Sequence, residues 1–237
     1  MMRPCYTVSV LSAALLASPL AAREIVHDLS GFSKIDASNH VKVNVYSGEA
    51  FRVVSDVSGT ARARHLHVEQ DGDTLKIWRT GDSSMILMGM ADRYEVTVSM
   101  PALTSITASS GVNVEVTGTF PGISSFDAKA SSGADVDVNG LEVESVMLRS
   151  SSGSDLDVRG TCTTLVAEAS SGSSIDAENL KCKDAKAEAS SGSEIDLYIT
   201  GTLRARASSG GDIDVEGAPV DADVSISSGG DVSLPDT

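Results

Sequence analysis

The residues with the most chemistry to offer are carboxylates set in a repeating alternation of acid, aliphatic residue and acid. Asp135-Val136-Asp137, Asp155-Leu156-Asp157, Glu194-Ile195-Asp196 and Asp212-Ile213-Asp214 show the full unit, and Glu115, Asp176 and Asp231 keep one acid of it. Acids repeated in this way can hold a hard cation between neighbouring copies, and calcium suits such oxygen ligands. They can equally meet a basic partner surface, or stay solvated and keep the chain from aggregating. The candidate calcium ligands are Asp135, Asp137, Asp155, Asp157, Asp176, Glu194, Asp196, Asp212 and Asp214, and calcium is the cofactor these acids suggest. Catalysis on sugars is the rival chemistry, but it needs two carboxylates at a defined separation, usually beside aromatic platforms. Here the acids form a uniform series, and Trp78 is the only tryptophan.

A repeat specifies what must position these acids. A Ser-Ser-Gly triplet ends at Gly111, Gly133, Gly153, Gly172, Gly192, Gly210 and Gly229, at intervals of 22, 20, 19, 20, 18 and 19 residues. Three and five residues after each glycine the chain is aliphatic, from Val114 and Val116 to Val232 and Leu234. Before the glycine, small or aliphatic residues alternate in the same way, as in Leu165, Ala167 and Ala169. A period of two on both sides of a glycine means two short strands joined at a corner, each with one face inward. A unit of this size cannot bury its inward face alone, but copies stacked about 4.8 Å apart bury a continuous column. The expected fold is therefore all-β: a single-stranded parallel β-helix of seven to eight rungs, right-handed because parallel crossovers prefer that hand. Helical repeats are excluded, since Ser-Ser-Gly in every unit would break them.

The acids then occupy outward positions two and four residues after each glycine, filling eleven of fourteen such places with no base among them. Stacked unit charges at this spacing repel by about 1 kcal/mol each in water, before salt screening. The outward face of the other strand mixes signs, with Lys129, Arg149, Glu168, Glu188 and Arg206, as a solubilising surface does.

Upstream, the pattern recurs once, with Ile35 and Ala37 before His40 and Val43 and Val45 after it; His40 stands at the glycine position. From Phe51 to Met100 the period is lost, and Asp71-Gly72-Asp73 marks a hairpin between two alternating strands. This stretch is expected to cap one end of the stack. Residues 1–22 have a basic start, an apolar run from Tyr6 to Leu16 and a small-residue exit, which is the layout of a secretory signal cut near Ala22. Leu20 is unusual three residues before such a cut, and retention as an anchor is the alternative. Removal takes one base, Arg3, from 18 and no acid from 33, changing the net charge from −15 to −16. No other apolar run is long enough to span a bilayer. The domain plan is thus a signal over 1–22 and one β-helical domain over 23–237, divided into a cap region at 23–100 and repeats at 101–237. Nucleic acid is excluded as a partner, because no basic stripe exists to bind phosphates.

Three further groups carry candidate chemistry. Cys162 and Cys182 lie nine and ten residues after their glycines, so they should stack in adjacent rungs. An oxidising compartment would join them as a disulfide, against a reading as two buried thiols with a one-residue misalignment. No histidine lies in the repeats to activate either as a nucleophile. His65 and His67 are placed on one face of a strand, and with the Met-rich loop they form a candidate copper set. That loop, Met85, Ile86, Leu87, Met88 and Met90, is also the best candidate interaction surface, being apolar in an otherwise polar connection.

Four segments resemble the putative autotransporter adhesin head GIN domain family of bacterial envelope proteins. They are Phe32-Ser-Lys-Ile-Asp-Ala-Ser, Gly72-Asp-Thr-Leu-Lys-Ile, Val96-Thr-Val-Ser-Met-Pro-Ala-Leu-Thr-Ser-Ile and the Ser-Ser-Gly rungs that follow. The resemblance covers nearly all of the chain after residue 22. It implies a β-helical fold and a periplasmic, cell-surface or secreted setting, and it brings no catalytic motif. The resulting expectation is a non-enzymatic envelope protein that binds an envelope component, a glycan or a protein surface through its acidic face. An accessory structural periplasmic protein without a ligand is the alternative, and a carbohydrate-active enzyme is the more distant one.

Overall fold

Alternation of β-branched or aliphatic residues with polar ones favours pleated strands with one buried face. The computed structural model describes residues 23–57, 63–80 and 93–235, and in these it is all-β, a β-solenoid without an α-helix. The expected signal segment and the Met85 to Met90 loop lie outside the described residues.

Two parallel ladders build the stack. The first joins β2 (Lys34–Ser38), β8 (Ser105–Ser109), β10 (Ser125–Ser131) and β12 (Ser145–Ser151). It continues through residues 164–170 of β13 (Asp155–Ser170), residues 184–190 of β14 (Ser174–Ser190), β16 (Thr202–Ser208) and β18 (Asp221–Ser227). The second ladder joins β3 (Lys42–Ser47), β9 (Asn113–Thr117) and β11 (Asp135–Glu142) to the first halves of β13 and β14. It ends with β15 (Glu194–Ile199), β17 (Asp212–Gly217) and β19 (Asp231–Ser233).

The Ser-Ser-Gly corner is tighter than a lone glycine explains. Each glycine has positive φ, and so does the serine before it, from 50° at Ser228 to 60° at Ser152. A left-handed non-glycine residue costs about 1 kcal/mol, so the corners hold only because the stack over-determines them. Backbone bonds run from corner to corner, with Gly133 N–H donating to Ser152 O at 3.2 Å and Gly153 N–H to Ser171 O at 3.2 Å. Upstream, Asn39 and His40 take the same paired conformation, with φ of 65° and 55°. The His40 ring then lies over Gly111, where a Cβ would come 2.9 Å from its Nε2.

Inside, the first ladder stacks Ile106, Ala128, Leu148, Ala167, Ala187 and Ala205 in register, all fully buried. The second stacks Val114, Val136, Leu156, Ile175, Ile195 and Ile213, so small residues on one wall face branched ones on the other. The residue just after each corner glycine also points inward: Val112, Ala134, Ser154, Ser173 and Ser193 are buried. The buried serines satisfy backbone groups at the bend; Ser154 Oγ donates to Ser151 O at 2.9 Å and accepts from Ser151 N at 3.1 Å. In the last two copies the position is Gly211 and Gly230, where a Cβ would lie 2.5 Å from Ala189 C and 2.6 Å from Ala207 C.

Where the sequence period disappears, the ladders nevertheless continue. β6 (Thr74–Arg79) lies parallel to β2, and β7 (Tyr94–Met100) lies parallel to β3. Antiparallel strands then close that end: β5 (Leu66–Asp71) on β6, β4 (Arg52–Val57) on β7, and β1 (Arg23–His27) on β4.

Candidate functional site

The second ladder sets the acids in register. Glu115, Asp137, Asp157, Asp176, Asp196 and Asp214 occupy one row of six successive strands, with Asn44 before Glu115 and Ser233 after Asp214. A parallel row holds Asn113, Asp135, Asp155, Ser174, Glu194, Asp212 and Asp231. Most of the first row is half-buried, whereas the acids of the second are exposed. Adjacent strands are only one ladder spacing apart, so burial and mutual repulsion act on the same groups.

The two ends of the face handle that repulsion differently. Near the N-terminal end, Lys42 Nζ reaches Glu115 at 3.4 Å, and Asn113 Nδ2 donates to Asp135 at 3.0 Å. Asn139 Nδ2 donates to Asp137 at 2.6 Å, while Arg159 donates to Asp157 at 2.6 Å and to Asn139 Oδ1 at 3.2 Å. Asp157 keeps one buried oxygen, Oδ1, without a hydrogen-bond partner. Burial pushes its carboxyl up, the Arg159 guanidinium pulls it down, and Asp176, Asp137 and Glu178 push it up again.

Toward the C-terminal end Asp176 accepts a backbone bond, from Glu178 N–H at 3.2 Å. Glu194, Asp196 and Asp214 bring one carboxylate oxygen each to within 4.8 Å of one another. Among the described residues no base pairs with them. Desolvation, followed by the charges of Glu194, Asp214, Asp176 and Glu178, pushes the Asp196 carboxyl up to about 6. Glu178 and Glu216 enlarge this acidic patch from a third outward position, six residues after the corner glycine. Asn139 and Arg159 occupy the same position further up, so the residues that neutralise one half and charge the other were missed by stopping the alternation at four. Extending it by one more step exposes them. A second glycine column follows at seven residues, with Gly118, Gly140, Gly160 and Gly217 all at positive φ. A Cβ on Gly160 would overlap the Leu141 carbonyl, and one on Gly217 the Ile199 carbonyl.

The first ladder's outward face is paired instead. Arg149 bridges Asp127 at 3.3 Å and Glu168 at 3.0 Å, and Lys186 holds Glu188 at 2.9 Å, with Arg206 also within 3.7 Å of Glu188. Cys162 and Cys182 are register partners with Cα atoms 4.6 Å apart, joined as a disulfide. Their one-residue offset is absorbed by a register shift between Asp157 and Gly160. His65 and His67 do not share a strand, since His65 closes a 3-10 turn (Ala63–His65) and β5 begins at Leu66. His67 stacks on Trp78 at 4.9 Å and hydrogen-bonds Thr80 at 3.0 Å, which accounts for its ring without a metal.

No helix among the described residues is long and apolar enough to cross a membrane. The fold is shared with solved structures. A putative adhesin from Bacteroides fragilis matches with a TM-score of 0.76 at 16% identity, over 90% of this chain and 96% of that one. A putative adhesin from Parabacteroides merdae matches at 0.66 and 12% identity, over 90% and 96%. A putative lipid binding protein from Parabacteroides distasonis matches at 0.67 and 13% identity, over 90% and 97%. These likenesses establish the fold alone, and no curated protein matches the chain. A family model described as "Putative auto-transporter adhesin, head GIN domain" matches residues 31–219, which takes in both ladders from β2 to β17. With that model spanning most of its length, the chain belongs to the putative auto-transporter adhesin head GIN domain family.

Proposed function

We propose that this protein is a non-enzymatic binding module of the bacterial envelope, periplasmic, surface-held or secreted, that engages its partner through the acidic face of the second ladder. The scaffold for this is a right-handed parallel β-helix of seven to eight rungs, one per Ser-Ser-Gly copy with an upstream rung at His40. One observation carries the reading: Asp176, Glu178, Glu194, Asp196, Asp212, Asp214 and Glu216 crowd one end of that face without a basic partner among the described residues. A self-repelling patch of this kind gains most when a cation or a basic surface covers it, and a repeated patch gains multivalently. Calcium fits the donor set, because three carboxylate oxygens within 4.8 Å of each other can share one ion whose other ligands are water. Ion bridging of this kind would let the face hold an anionic glycan as well as a basic protein.

Retention of the purified protein on a glycan array and on envelope fractions, with calcium or EDTA, tests the proposal. Binding that falls when Glu194→Gln, Asp196→Asn and Asp214→Asn are combined supports it. Binding unchanged by those substitutions removes the acidic face from the function, and release of cleaved sugars would show an enzyme.

A further inference from the structure

The two ends of the stack are finished differently. At the N-terminal end, Phe32 is 2% exposed and packs on Phe51 at 4.9 Å, and Leu29, Leu66 and Val68 close over the same core. Gln70 plugs the rim there, donating to Ser30 O and Gly72 O at 2.9 Å each. At the C-terminal end, the inward positions of the last turn stay open. Val224, Ile226 and Leu234 are 37%, 51% and 43% exposed, and neighbouring Val220 is 81% exposed. Yet Val224 and Ile226 are register partners of Ala205 and Ala207, which are fully buried one strand earlier. Among the described residues, β18 pairs only with β16 and β19 only with β17, so each shows a free row of backbone donors and acceptors. An apolar, unpaired strand edge of this kind templates further pairing.

We infer that this edge is the interface of a two-fold dimer, with a second copy of the same chain as its occupant. β18 runs toward the Ser228-Gly229 corner and β19 runs away from it. A two-fold axis through that corner lays β19 of one copy antiparallel on β18 of the other, twice. The register that keeps the corner in place sets Ile226 against Val232 of the second copy and Val224 against its Leu234. Outward, Ser225 meets Ser233 and Ser227 meets Asp231, so no carboxylate faces a carboxylate across the seam. A head-to-tail arrangement lacks this complementarity, because the β5 edge offers the acids Glu69 and Asp71 on the outward side, where β18 carries Asp221 and Asp223, and sets polar Gln70 in the inward column of Val224. Tail-to-tail closure is isologous and ends at two copies. It also places the two acidic faces in one particle, which doubles the valency of the site proposed above without depending on it.

Sedimentation over a dilution series tests this directly. The protein should run at twice the monomer mass, and Ile226→Glu should weaken the dimer on the order of a hundredfold, because the charge enters the seam twice. Ile226 is already half-exposed, so the variant should melt as the diluted parent does, which separates lost pairing from lost folding. For the register, Ser225→Cys and Ser233→Cys proteins, each also carrying Cys5→Ser, are mixed and oxidised. A disulfide between the two kinds of chain, in excess over either kind with itself, is expected. A monomer at every concentration overturns the inference, including one whose open edge instead retains phospholipid vesicles. So does a dimer indifferent to Ile226→Glu, or one that cross-links Ser225→Cys mainly to itself.

Discussion

The two outward faces of one stack are made of the same strands, turns and core, yet they solve the stacking of charge in opposite ways. On the first ladder both signs share one row, and Arg149 sits between Asp127 and Glu168. On the second, six acids follow one another, and among the described residues the bases that reach them, Lys42 and Arg159, lie toward one end. A β-solenoid enforces register so strictly that a side-chain preference at one position becomes a row. Mixed rows cancel locally, whereas a single-sign row accumulates and must be covered, protonated or tolerated.

Four experiments sharpen that contrast. The largest effect should come from what the faces share. Replacing Cys162 and Cys182 by Ala removes a link between residues 20 apart in sequence and should cost about 3 kcal/mol in denaturant unfolding. Probes on either face should report one transition, and separate transitions would show that the faces unfold independently. Next, calcium at a hundredfold excess over its dissociation constant should stabilise the protein by about 2.7 kcal/mol at neutral pH, seen as a raised Tm that EDTA reverses. The gain should vanish in the Glu194→Gln, Asp196→Asn, Asp214→Asn variant; an unmoved Tm in the parent would discard cation bridging.

A smaller effect concerns Asp196 alone. Its folded pKa of about 6 lies above the ordinary 3.8, so folding binds a proton between those values. Stability from this group is intact below 3.8 and is lost as pH rises through 6, the reverse of the usual paired carboxylate. Asp196→Asn should therefore gain on the order of 1 kcal/mol at neutral pH, after allowance for solvent screening, and nothing in acid. Melting against pH for both proteins reads this out. The smallest change belongs to the compensated face: Arg149→Ala should cost less than about 1 kcal/mol and should lose most of that in high salt.

Much of this was legible in the residues. The interval between glycines, the period of two around them and the outward acids fix the turn, the inward rows and the acidic face, because a two-residue period leaves a strand no choice of side. The region from Phe51 to Met100 was harder to read. It was expected only as a cap, but Thr74–Arg79 and Tyr94–Met100 also extend both parallel ladders. No Ser-Ser-Gly corner joins them, so the repeat signal fails while the pairing survives. Likewise the cysteines' offset looked like misalignment until the register shift after Asp157 absorbed it. A bulge has no sequence signature of its own unless a glycine marks it.

By itself the sequence determined the repeating turn, the inward and outward sides of its strands and the sign of one face, all of which follow from local alternation and chirality. Only the tertiary structure decided that Glu115 and Asp135 are relieved by Lys42 and Asn113 one strand away, and that Glu194 and Asp214 collect at Asp196. Only it closed one end of the core with Phe32 and Phe51 and left the other open at Val224 and Ile226. The reason is the same in each case: these outcomes depend on neighbours about twenty residues distant or more, brought together by stacking.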